Sequence, residues 1–110
     1  MPTIEDFNAL EIRVGTVVAA QPLAGARKPA LALTIDFGPA FGVKRSSAQI
    51  TARYTPEHLI GRQVMAVTNL PARSIAGFAS EVLTLGVPDQ NGAVVLLAPD
   101  STVPNGAKMF

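Results

Sequence analysis

Turn-forming residues recur roughly every 8–12 positions along this chain, and short apolar or alternating runs fill the intervals. That spacing admits short strands and single helical turns, and it leaves no room for the long crossover helices of a βαβ fold. "PALALTIDFG" is the clearest run, with Leu31, Leu33, Ile35 and Phe37 on one face and Ala30, Ala32, Thr34 and Asp36 on the other. "EIRVGTVVAA", "VKRSSAQI", "QVMAVTNL", "SEVLTLGV" and "AVVLLA" complete the strand set. Gly15 in the first of these is expected to mark a bulge or bend. Asn91-Gly92 in "PDQNG" signals a tight turn between the last two.

Only two helical segments are expected, both short. Thr3 caps the first, with Asp6 in its opening turn and Ile4 and Phe7 on one face. The second is a single turn in "YTPEHLIG", with Thr55 as cap, Pro56 at the first helical position and Gly61 as its stop. The pattern predicts one all-β domain over residues 1–110, a small antiparallel barrel with a short N-terminal helix. Among such barrels the five-stranded OB-fold fits. The turn at Thr55 to Leu59 falls where that barrel carries its helical insert.

Composition limits the function. With 48% hydrophobic and 15% charged residues the chain is globular rather than disordered, and without cysteine it has neither disulfides nor thiolate metal sites. "MPTIEDFNALE" lacks the basic and apolar regions of a signal peptide, and no apolar run is long enough for a bilayer. A cytoplasmic domain with no membrane insertion is the expectation. His58 is the only histidine and has no nucleophile or acid paired with it by sequence signal. "GPAFGVKRSS" has the residue types of a phosphate loop but not its spacing, because three residues separate the glycines and Val43 stands between Gly42 and Lys44. A binding module without catalytic residues, metal or cofactor is the reading.

The net charge of +1 is unevenly placed. Residues 27–73 hold Arg27, Lys28, Lys44, Arg45, Arg53, Arg62 and Arg73 against Asp36 and Glu57 only, a local charge of +5 between two acidic flanks. This fits a patch for a polyanion or an acidic partner. Part of it falls on the third strand, "VKRSSAQI", where a buried strand would carry valines.

Several blocks carry a resemblance. "IRVGTVVAA", "ARKPALALTIDFG", "YTPEHLIGRQVMAVTNLP" and "SEVLTLGVP" resemble the tRNA-binding domain family, an OB-fold module. "ARKPA", "KRSSAQIT", "RYTPEHLIGR" and "SEVLTLGVP" are similar to its CsaA-type branch of protein-secretion chaperones. The resemblance implies small terminal extensions to the barrel and a homodimer that binds unfolded or precursor polypeptides and contacts the secretion ATPase. tRNA binding is the alternative. The "VSGI" of tRNA-binding relatives is replaced here by Ser47, Ala48, Gln49 and Ile50, and their "MRG...S.GM" block has Ala76 and Leu83 for its arginine and second methionine.

OB-folds bind ligands over strands two and three and the adjoining loops. The polar third strand is therefore expected to line a groove, with charge from Lys44 and Arg45 and hydrogen bonds from Ser46, Ser47 and Gln49. Arg27 and Lys28 stand on the first barrel loop at its rim. Asn69, Arg73, Phe78, Ser80 and Glu81, around the later turns, complete the candidate peptide or tRNA site. Aromatic content of 5%, with one tyrosine and no tryptophan, is poor equipment for stacking bases and mildly favours peptide.

Overall fold

The computed structural model describes all 110 residues. Helix α1 (Ile4–Ala9) opens the chain with a full capping box. The Asp6 N–H donates to Thr3 Oγ1, and the Thr3 N–H donates to the Asp6 carboxylate. A five-stranded antiparallel sheet follows, in the order β3-β2-β1-β4-β7. Its strands are β1 (Ile12–Pro22), β2 (Leu31–Asp36), β3 (Val43–Ala48), β4 (Gln63–Val67) and β7 (Leu83–Thr84). Helix α2 (Pro56–Leu59) lies between β3 and β4, as expected for the barrel's insert. Thr55 occupies its cap position with no side-chain bond to the helix, so proline at the first position sets its start.

The alternation in "PALALTIDFG" is realised in full. Leu31, Leu33, Ile35 and Phe37 are buried together with Val17, Ile50, Leu59, Val64, Ala66 and Val82. Gly15 differs from expectation. The bulge lies at Val18, where the β1–β2 register slips between Val17 and Ala19. Gly15 instead marks a close approach: a Cβ there would stand 2.5 Å from Ile35 Cγ2 and 2.8 Å from the Phe37 ring. Glycine is needed because Ile35 and Phe37 together use that volume.

Two further differences lie past β4. The stretch from Arg73 to Ser80, placed among the later turns, is a hairpin, β5 (Arg73–Ile75) with β6 (Phe78–Ser80). Its two turn residues, Ala76 and Gly77, both have positive φ (52° and 77°), the signature of a type I′ turn. Alanine in place of the usual Asn or Asp hides that turn in the sequence. "SEVLTLGV" is not one strand but the end of β6, then β7, then β8 (Gly86–Pro88). β8 pairs with β9 (Val94–Leu96) across the foreseen turn.

That turn is held by Asp89, whose carboxylate accepts from the N–H groups of Asn91 and Ala93 and from Arg53 Nε at 3.0 Å. The Arg53 bond, then the Asn91 N–H, hold its carboxyl below the usual range. A depressed folded-state pKa stabilises above the unfolded value of about 3.9 and is lost as pH falls through the folded value. The Asn91 and Ala93 amide resonances are therefore expected to stay constant from neutral pH to about pH 4 and to shift only below it. A transition at pH 5 or higher in an NMR titration would contradict this.

Closure between β3 and the β6–β7 segment is made mainly by side chains. Only the Glu81 N–H to the Arg45 carbonyl (2.8 Å) joins backbone to backbone there. The Arg45 N–H donates to Glu81 Oε1 (3.0 Å) and the Ser47 N–H to Ser80 Oγ (3.0 Å). Ser46 Oγ donates to the Val82 carbonyl and accepts from Thr84 Oγ1 at 2.8 Å.

Candidate functional site

Strand geometry sorts the polar residues of β3 before any ligand is considered. Side chains alternate across a strand, and cross-strand partners share a face. Lys44, Ser46 and Ala48 pair with Ile35, Leu33 and Leu31, all buried, so they stand on the core side. Arg45 and Ser47 pair with Thr34 and Ala32 on the outer side. Lys44 and Arg45 therefore do not line one groove together. Ser46 is fully buried, and its hydroxyl is spent on the barrel seam. The polar strand thus has two explanations: its inner serine closes the barrel, and its outer residues face a cleft.

That cleft, of about 760 Å³, lies between the β1–β2 loop and the β5–β6 hairpin. Arg27 and Lys28 stand on one side, Ser47 and Gln49 form the floor, and Ser74, Ile75 and Ala76 form the other side. At its end the loop and hairpin nearly meet, since a Cβ on Gly25 would lie 3.7 Å from that of Ala76. A second cavity of about 320 Å³ continues from it, sharing Ser47, Gln49 and Ile75. Its lining adds Ile50, Leu83, Val94 and Leu96, with Arg73 at the edge. The recess mixes these apolar side chains with Ser47, Gln49, Thr84 and Arg73, so an apolar group entering it would find polar partners alongside.

The remaining candidates fall elsewhere. Asn69 clamps the N-terminus: its Oδ1 accepts from the Glu11 N–H and its Nδ2 donates to the Ala9 carbonyl. Ser80 is buried and Glu81 is bonded to β3, so both act in the seam. Phe78 is half-buried beneath Arg45, whose guanidinium lies 4.9 Å from the ring centroid. Arg73 also borders a third cavity, of about 380 Å³, between residues 70–73 and 80–83. Ser74, Ile75 and Ala76 were not singled out in the sequence, because the hairpin that presents them was not recognised.

The charges sort as cleanly. The ion pairs are Arg53–Asp89 (3.0 Å) and Arg13–Glu11 (3.1 Å), and Arg62 lies over the Tyr54 ring. Arg27, Lys28, Lys44, Arg45 and Arg73 have no carboxylate partner. Tyr54 is engaged too, its hydroxyl accepting from the Leu96 N–H. No group of histidine, cysteine and acidic side chains capable of holding a metal occurs, and no helix is long and apolar enough to cross a membrane.

A five-stranded barrel with a helix between its third and fourth strands, and a cleft over the outer face of β3, is the OB architecture with its usual ligand surface. The chain belongs to the tRNA-binding domain family: the model described as "Putative tRNA binding domain" matches residues 12–108. Among solved structures it is similar to the chaperone CsaA of Bacillus anthracis, at 53% identity and a TM-score of 0.93, covering 100% of this chain and 99% of that one. It is likewise similar to the CsaA chaperone of Picrophilus torridus, at 44% identity and a TM-score of 0.93, with full coverage of both chains. Among curated proteins, the methionine–tRNA ligase of Methanothrix thermoacetophila is 42% identical over 102 residues. That match takes in 93% of this chain but only 14% of the ligase.

Proposed function

We propose that this protein is a non-catalytic, chaperone-type module that holds unfolded or precursor polypeptides in the cleft beside β3. The observation that carries this reading is the recess of Ile50, Ile75, Leu83, Val94 and Leu96 opening from the cleft. Apolar side chains of an unfolded segment gain by entering such a recess, whereas phosphates and sugars do not. Full-length similarity to chaperone structures supports the same reading. The proposal includes action in the cytoplasm, contact with a secretion ATPase and assembly as a homodimer. In support of the dimer, α1 buries none of its residues, and Ile4, Leu10 and Phe110 are exposed. The C-terminal segment lies along β1 through Arg13 and Lys108, so both termini flank one strand.

A second reading, tRNA binding, is favoured by Arg27, Lys28, Arg45 and Arg73, none paired with a carboxylate, and by the family match. One titration separates the two: purified protein against a denatured precursor and against bulk tRNA, each at two salt concentrations. Ile75→Asp places a charge where both cavities meet and is expected to weaken polypeptide binding about tenfold or more. It adds only one negative charge to a tRNA surface. Absence of polypeptide binding, or binding indifferent to Ile75→Asp, would overturn the chaperone reading.

A further inference from the structure

We propose that the cleft grips its polypeptide by strand addition: an extended segment with apolar side chains at alternate positions joins the open end of β3. This rests on the polypeptide reading above and specifies how the backbone is held.

The Arg45 carbonyl accepts from Glu81, on the side away from β2. In an antiparallel ladder alternate residues direct their backbone groups to the same side, so Ser47 and Gln49 also point away from β2. The Ser80 and Glu81 side chains cap this edge at the Ser47 and Arg45 N–H groups, and there the cap ends. The Gln49 N–H and C=O have no protein partner, and Gln49 is exposed. The Ser47 carbonyl receives only a 3.2 Å contact from the Ser46 hydroxyl, which also serves Val82.

Across the cleft, Ile75 and Phe78 flank the two-residue turn and form its closing hydrogen-bonded pair. The middle residue of β5, Ser74, therefore turns its amide and carbonyl outward, away from β6. Ser47, Gln49 and Ser74 line one cleft. Unpaired strand edges are templates for another extended backbone, with pockets for every second side chain. The recess of Ile50, Ile75 and Leu83 supplies such a pocket, next to the unpaired Gln49 backbone. A nucleic-acid backbone has no alternating N–H and C=O groups to match this edge.

A backbone scan tests the proposal. A short peptide alternating apolar and polar residues is bound to the protein, then resynthesised with single N-methyl groups at successive positions. Affinity is expected to fall about tenfold at alternate positions and to change little between them. Exchange of the Gln49 amide is expected to slow when the parent peptide binds. Uniform tolerance of N-methylation with an unprotected Gln49 amide would overturn strand addition and leave the polypeptide reading standing. No binding of the parent peptide would defeat both. Equal protection of Gln49 by single-stranded oligonucleotide would show that the edge does not select a peptide backbone.

Discussion

Phe37→Ala is expected to cost about 3–5 kcal/mol of unfolding free energy, enough to leave a domain of this size marginal at room temperature. Phe37 is fully buried at the end of the β2 core face. Its ring occupies the space that Gly15 leaves empty, within 2.8 Å of where a Cβ would stand. The partner change, Gly15→Ala, is expected to destabilise by about 1–3 kcal/mol through overpacking. The two changes are coupled, because removing the ring vacates part of the volume that the new methyl needs. The double variant is therefore expected to be more stable than the sum of the single losses implies, by about 0.5–3 kcal/mol. Relief is partial, since Ile35 Cγ2 remains 2.5 Å from the added carbon. Urea unfolding of the four proteins measures the cycle. Strict additivity would show that Gly15 is not held small by Phe37.

Reversing the charge of Arg27, Lys28 and Arg73 together is expected to remove most tRNA affinity and to weaken polypeptide binding far less. None of these three, nor Arg45, has an acidic partner. Four phosphate contacts give a log–log salt slope of about −3.6 on duplex RNA or about −2.8 on single strands. Raising salt from about 0.05 to about 0.2 M then costs roughly 50- to 150-fold in affinity. The triple variant retains one contact, so its slope should flatten to about −1. The proposed polypeptide site, drawing its affinity from burial of apolar side chains, should respond weakly to salt in both proteins. Steep, tight tRNA binding that survives the triple reversal would move RNA to another surface.

The fold was legible because its signals are local. Alternation in β2, the capping box at Thr3, proline at the start of α2 and Asn91-Gly92 each act within a few residues. What escaped the sequence depends on partners distant in the chain. Gly15 looks like a bulge until Phe37, more than twenty residues later, is seen to fill its place. Ala76 hides a hairpin because its left-handed conformation is set by the strands around it rather than by its own preference. The site was legible only as a region. Composition shows that β3 is polar, but only the register with β2 separates Arg45 and Ser47 outside from Lys44 and Ser46 inside. Charge behaved alike: seven cations fall in the middle of the sequence, yet Arg53 is claimed by Asp89 and Arg62 by Tyr54.

The seam along β3 has an evolutionary meaning. Backbone ladders are indifferent to side-chain identity, so substitution rarely retunes them. Here the join depends on two serines, a threonine and a glutamate, each replaceable by one codon change. The hairpin that walls the cleft ends at Ser80, directly on that join. A substitution at Ser46, Ser80, Glu81 or Thr84 therefore acts on the aperture of the cleft while leaving the β1–β2–β4 framework untouched.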